Sequence, residues 1–544
     1  MSLAGKRAVL IGGVVAMVAI VVVAVVILRG GSPVSAASSS PSDVNGVPVS
    51  TGPSAPDPTS AAQQYLQALT ADELQAASAL TDSPQGSYAV LADAWDALKP
   101  TAMRATLGKI GPTAGNGSLA TFTAKWTLEQ GHVWSYTGTF GIVRTGPNWR
   151  VHWTPAVLYP TLRAGQRLVI ATQAVDHTAV VDRDGHALVT AGASGRHVAD
   201  KDFALIQSAL FAQVPSTSAT TFAVERVDAS GTDLETLLGS PDGGAKPAVS
   251  TLSVATQSAA QSVVDAYPGP AVIVALRPTN GGLLAAAQNA RSESSPFTGL
   301  YAPGSTFKIV TATAALQAGL ATENSQLACP GTAQIGQRTI HNDDGFDLGV
   351  ITMHRAFAKS CNTTFGQLAS QLPADGLARA ANEYGLNADF EIPGLDTQTG
   401  KVVAAQNADE QVEDGIGQGT VLVSPFGEAL MAATVAAGHA VVPRLWRDTS
   451  TGVTTGYTGP SDSVLVPLRS MMREVVTGGT ATGLAHSGQV YGKTGTAQFD
   501  TDPQDANGWF VGYRGDIAFA VFLQGANGSA PAVRQAARFL AKLG

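Results

Sequence analysis

Ser305 and Lys308 stand three residues apart in "YAPGSTFKIVTATAAL", residues 301–316. On a helix, positions i and i+3 share a face, so the hydroxyl and the amine can meet. A serine beside an unprotonated amine is a nucleophile with its own base. A lysine in the first turn stands against the positive end of the helix dipole, and burial would act in the same direction; both disfavour the ammonium form. The plainer alternative is a serine that caps the helix and a lysine in solvent. Lysine is scarce, with eleven in the chain, and this is the only Ser-x-x-Lys.

Two further short patterns carry chemistry. "AFAKSCNTTF" holds the only Ser-x-Asn, Ser360-Cys361-Asn362. Its hydroxyl could relay a proton between nucleophile and leaving group, and the Asn362 amide can bind a substrate carbonyl and the lysine together. "VYGKTGTAQF" places Lys493, Thr494, Gly495 and Thr496 on an expected strand. A cation with two hydroxyls on one strand edge suits a carboxylate. Gly495 leaves room for a substrate backbone to approach. The backbone N–H groups of Ser305 and Thr496 could together form an oxyanion hole. The alternative for this segment is an edge strand protected by its lysine.

These residues need a scaffold, and the chain predicts one. "PAVIVALRPTNGGLLAAAQ" reads as a hairpin turning at Asn-Gly-Gly, and several helical segments follow to about residue 440. "QVYGKTGTAQF", "WFVGYRG" and "IAFAVFLQG" read as strands, and "APAVRQAARFLAKL" as a terminal amphipathic helix. Strands at both ends with helices between suggest one antiparallel sheet joining sequence-distant segments over residues 251–544. Before it, residues 161–250 contain a hairpin at Asp-Gly in "HTAVVDRDGHALVTA" and a helix in "KDFALIQSALFAQV". Residues 59–160 run from helices to strands of period two, an α+β domain. Residues 30–58, rich in Ser, Pro, Gly and Ala, cannot build a core and read as a flexible linker. The expected class is therefore multidomain α+β.

The 21 residues 8–28 carry no charge, enough for about 31 Å of helix, and with residues 1–29 read as a short cytoplasmic stub and a single transmembrane helix. Lys6 and Arg7 precede the run, and no lysine or arginine occurs between Arg29 and Lys99. The charge bias puts the N-terminus in the cytoplasm and the bulk of the chain outside the cell membrane. A cleaved signal peptide is the alternative. A net charge of −8 and the lack of a basic stripe exclude a general nucleic-acid binder. None of the nine histidines sits in H-E-x-x-H, and no metal or cofactor is expected. The two cysteines, Cys329 and Cys361, read by default as free buried thiols, although an oxidising compartment permits a disulfide.

Taken together, S-x-x-K, S-x-N and K-T-G in this order resemble the penicillin-recognising serine transferases and hydrolases. "GLYAPGSTFKIVTATAAL", "GIGQGTVLVSPFGEALMAATVAAG" and "GWFVGY" look like class B penicillin-binding proteins. "NWRVHWTPAVLYPTLRAGQRL" looks like the end of the NTF2-like domain of methicillin-resistance-type members. "AVVDRDGHALVT" resembles their pedestal, or dimerisation, region, with His177-Thr178 where Arg-Gly is usual. The resemblance implies a β-lactamase-like transpeptidase domain at 251–544, a pedestal at 161–250 and an NTF2-like domain at 59–160. It implies that Ser305 attacks the penultimate D-alanyl carbonyl of a peptidoglycan stem peptide, with Lys308 as base and Ser360 as proton relay. Asn362 would hold the donor, and Lys493, Thr494 and Thr496 the terminal carboxylate. β-Lactams would acylate Ser305. The implied partners are a separate membrane glycosyltransferase and other division or elongation proteins. The rivals are a D,D-carboxypeptidase, a non-catalytic sensor or scaffold, and a β-lactamase. The last is raised by Glu383 to Asn387, an E-x-x-L-N pattern that reads more plainly as a helix ending at Gly385.

Overall fold

In the computed structural model, the described residues are 57–112, 115–216, 219–241, 246–498 and 506–544. The first of them form helices Pro58–Thr70, Leu74–Ala79 and Pro84–Leu98, followed by a four-stranded antiparallel sheet. Alternation explains this sheet: along Gly117–Thr127 the residues Ser118, Ala120, Phe122, Ala124 and Trp126 are buried and their neighbours are not. Helix Pro58–Thr70 covers that face with Tyr65, Leu66 and Leu69, and the Tyr65 ring meets Phe140 edge-on at 5.7 Å.

Residues 161–250 supply two small sheets. One joins Arg167–Ala174, Thr220–Val227 and Asp233–Pro241; the other contains the hairpin of His177–Val181 with Ala187–Ala191. Their apolar residues divide between two cores. Leu168, Phe222 and Val224 extend the aromatic core of the N-terminal sheet. Ala179, Val180, Leu188 and Phe203 belong instead to the core of the C-terminal region.

That second core surrounds a five-stranded antiparallel sheet in the order Leu283–Gln288, Ala271–Leu276, Ile517–Leu523, Ala506–Arg514, Val490–Gln498. The first hairpin pairs with a strand some 240 residues later, Val274 opposite Ala520. Every residue of Ala271–Leu276 is buried, as a strand covered on both faces requires. Helices Val254–Asp265, Pro425–Ala437 and Ala530–Lys542 pack against the sheet. Val490–Gln498, which carries Lys493 to Thr496, is an edge strand.

One part of the expected class is corrected. The mixed α/β regions are present, but no described helix is long and apolar enough to cross a membrane. The stretch 8–28, where a transmembrane helix was expected, lies outside the described residues, as does the linker up to residue 56.

Candidate active site

Gly304–Phe307 forms a single 3-10 turn that runs into helix Lys308–Gln317. Backbone contact holds the turn on two sides. Gly304 has φ +55°, and a Cβ there would lie 2.2 Å from Thr496 O. A Cβ on Gly417 would lie 1.9 Å from Gly304 O, and Gly304 N donates to Gly417 O at 2.9 Å. These glycines allow an approach that no side chain would permit. The capping positions of the turn and of the helix fall on Pro303 and Phe307 rather than on Ser305; the Ser305 Oγ lies 2.9 Å from Lys308 Nζ.

Lys308 is completely buried. Its Nζ meets Asn362 Oδ1 at 2.5 Å, Ser360 O at 2.9 Å and Ser360 Oγ at 3.2 Å. Burial holds the amine well below the usual lysine range, the Lys493 charge adds to this, and Asp343 opposes it. A neutral amine has two N–H donors and one lone pair. The two carbonyl oxygens take the donors, so the lone pair is left for the Ser305 proton.

Ser360 ends helix Met353–Lys359 in the left-handed region at φ 63°, a conformation that strains a non-glycine residue. Asn362 starts the next helix, and its Nδ2 donates to His341 O at 3.0 Å. Between them Cys361 is bonded to Cys329. This corrects the default expectation of free thiols: the two Cα atoms lie 6.2 Å apart, within disulfide reach. The bond thus ties the residue between Ser360 and Asn362 to the strand Gln326–Cys329.

Lys493 is also fully buried. Its Nζ donates to Ser360 Oγ at 2.9 Å and Thr494 O at 3.0 Å, and burial lowers it to about 7. Ser360 Oγ therefore bridges two amines. Thr494 and Thr496 line a cleft of about 870 Å³ with Ser305, Ser360 and Asn362, whereas Lys493 lies behind it. Gly495 makes a contact that the sequence did not predict. A Cβ there would lie 2.6 Å from Pro303 O, so the glycine admits the turn that carries Ser305.

Five expected side chains, those of Ser305, Lys308, Ser360, Asn362 and Lys493, thus share one hydrogen-bonded cluster, with Thr494 and Thr496 on the adjoining strand. Sequence reasoning missed Thr480, whose Oγ1 lies 2.6 Å from Thr494 Oγ1. It also missed Gln418, which donates to Thr496 O at 3.4 Å, and the buried Glu428 considered below. Only Glu428 left a signal, a carboxylate inside the apolar run "SPFGEALMAATVAA". Glu383 is not in the cleft. It accepts from Gln317 and borders a separate depression with Arg379 and Tyr457. Among the described residues, no cluster of His, Cys, Asp and Glu could hold a metal.

Residues 57–166 match the family described as the NTF2-like N-terminal transpeptidase domain. The peptidoglycan D,D-transpeptidase PbpA of Mycobacterium tuberculosis is 31% identical over 230 residues, 39% of this chain and 47% of that protein. The chain thus spans about half the length of this curated relative. Two solved structures share the fold. The D,D-transpeptidase domain of a peptidoglycan glycosyltransferase from Eggerthella lenta has a TM-score of 0.54 at 22% identity, covering 68% of this chain and 98% of that one. PBP2 of Pseudomonas aeruginosa has a TM-score of 0.54 at 21% identity, covering 67% and 95%. Residues 271–543, half of the chain, match the penicillin binding protein transpeptidase domain, and with the Ser305 cluster inside that span the chain belongs to the penicillin-binding transpeptidase family.

Proposed function

We propose that the protein is a serine-type peptidoglycan D,D-transpeptidase that cross-links stem peptides and is acylated by β-lactams. The observation that carries this reading is the buried Lys308 amine, bound to Asn362 and Ser360 and aimed at Ser305 Oγ. Ser305 Oγ attacks the penultimate D-alanyl carbonyl while Lys308 takes its proton. The oxyanion forms against the backbone N–H groups of Ser305 and Thr496. Ser360 passes a proton to the departing amine, and D-alanine leaves. An acceptor amine then attacks the ester, which restores Ser305 and forms the cross-link.

Thr494 and Thr496 meet the donor's terminal carboxylate, with Gly495 between them, and Asn362 holds the donor peptide. Lys493 contributes from behind, through Ser360. The carboxylate favours the ammonium form of Lys493 and so raises its pKa from about 7 on binding. The name of the mycobacterial relative supports this chemistry. The disulfide supports an extracytoplasmic site of action, because such bonds persist in oxidising compartments. Strand synthesis falls to a separate glycosyltransferase, working with other proteins of division or elongation.

Intact-protein mass spectrometry after penicillin treatment should show one stable adduct that Ser305→Ala abolishes. A donor peptide supplied with an amine acceptor should then give the transpeptidation product. Rapid penicillin turnover would indicate a β-lactamase, and hydrolysis alone a carboxypeptidase; either result defeats the proposal.

A further inference from the structure

Glu428 is fully buried within helix Pro425–Ala437, among residues that are buried without a break from Pro425 to Val435. One carboxyl oxygen, Oε1, lies 2.6 Å from Thr306 Oγ1. The other has no hydrogen-bond partner among the described residues. Thr306 directly follows the nucleophile, and its hydroxyl also lies 2.9 Å from Pro303 O. A hydroxyl has one proton to give, and a carbonyl has none. If Thr306 donates to Pro303, the contact with Glu428 needs a proton that Glu428 supplies. Desolvation acts in the same direction and pushes the carboxyl up to about 8.

Pro303 O lies at a critical place. Together with Thr306 Cγ2 it occupies the space that a side chain on Gly495 would need. The bond from Thr306 to Pro303 therefore closes the nucleophile's turn where that turn rests on the strand of Thr494 and Thr496.

We propose that Glu428 is a positioning residue for Ser305: as a neutral carboxylic acid it donates to Thr306, commits the Thr306 hydroxyl to Pro303 O, and so locks the turn against Gly495. The inference rests on the transpeptidase reading. When Glu428 ionises, the hydroxyl turns to the carboxylate, Pro303 O loses its donor, and the turn loosens. The surroundings offer the carboxylate little charge. Of the strands packed on this helix, Ala271–Leu276 and Ile517–Leu523 carry no titratable side chain, and Ala506–Arg514 carries Tyr513 and Arg514 at its end. The nucleophile's helix brings Lys308, and the strand beneath the turn brings Tyr491 and Lys493. Only burial and the Thr306 hydroxyl act on the Glu428 proton.

The test is the second-order rate of Ser305 acylation by a fluorescent penicillin, followed across neutral and mildly alkaline pH. Glu428→Leu, which cannot donate, should slow acylation by about 10-fold or more, whereas Glu428→Gln should stay within about 3-fold of the native rate. Glu428→Gln should also lack the part of the native decline that centres near pH 8. Native-like rates in Glu428→Leu overturn the proposal, as do equal losses in both variants or identical pH profiles for Glu428→Gln and native protein. Should circular dichroism show Glu428→Leu unfolded, Thr306→Val replaces it: a slower rate supports the proposal and an unchanged rate overturns it. A native protein that no penicillin labels overturns the transpeptidase reading and this inference with it. A labelled native protein with a fast Glu428→Leu overturns this inference alone.

Discussion

The described residues pack around two cores that use burial differently. Around the N-terminal sheet the core is aromatic: Tyr65, Phe122, Trp126, Trp134 and Phe140 pack together. Its titratable groups include the buried Tyr65 and the half-buried Tyr136, and desolvation pushes both phenols further up, away from any ordinary pH. In the C-terminal core the same desolvation acts on Lys308, Lys493 and Glu428. It disfavours the charged form of each, beside Ser305 or against the turn that carries it. In one region burial produces cohesion alone; in the other it also sets protonation states, which costs stability.

The sharpest test of that contrast is Lys308→Arg. A guanidinium fills the space but cannot give up its proton near neutral pH, so acylation should fall by about 10³-fold while circular dichroism stays native. Normal acylation would mean that the buried amine is not the base. In the other core, Trp126→Ala should cost about 3–5 kcal/mol in denaturant unfolding, yet leave the acylation rate per folded molecule unchanged. A slower rate in the folded variant would show the two cores to be coupled. Replacing Cys329 and Cys361 together by serine should cost about 2–4 kcal/mol and slow acylation as well, because the bond anchors the segment between Ser360 and Asn362.

A smaller effect distinguishes the cores by pH. Glu428 is raised from 4.5 to about 8, so the folded state holds a proton that the unfolded state has lost, and stability falls as pH rises through that window. Lys493 is lowered from 10.5 to about 7, so between those values the unfolded state binds the extra proton and stability rises with pH. Lys308, also lowered, adds to the rise. Stability should pass through a minimum near neutral pH, with slopes on the order of 1 kcal/mol per pH unit for each group. Glu428→Gln should flatten the descending side, and a persistent slope in that variant would contradict the assignment. The smallest effect expected is that of Glu383→Gln, which should leave both acylation and adduct lifetime unchanged. A longer-lived adduct would give Glu383 a hydrolytic role.

Much of the site was readable because its elements are local or patterned. Ser305 and Lys308 meet through helix spacing alone. The edge strand around Gly495 announces itself by its flanks, and the sheet's distant strands read as continuous apolar runs. The disulfide was not readable, since spacing gives no distance between two cysteines. Nor was the second demand on Gly495, which reads as room for a substrate and also leaves room for Pro303. Glu428 was visible only as an oddity in an apolar helix. Its meaning depends on which hydroxyl lies across a packing boundary, and local periodicity carries no such information.

The backbone contacts at Gly304, Gly417 and Gly495 also bear on how the site could change under selection. A methyl group at any of the three would meet a carbonyl oxygen within 2.6 Å, so these positions cannot tune the fit of an inhibitor without displacing the turn that carries Ser305. Variation that spares the chemistry has room at the exposed rim of the cleft, at residues such as Asp344 and Leu348. Changes in inhibitor sensitivity should therefore accumulate at the rim, with the three glycines unaltered.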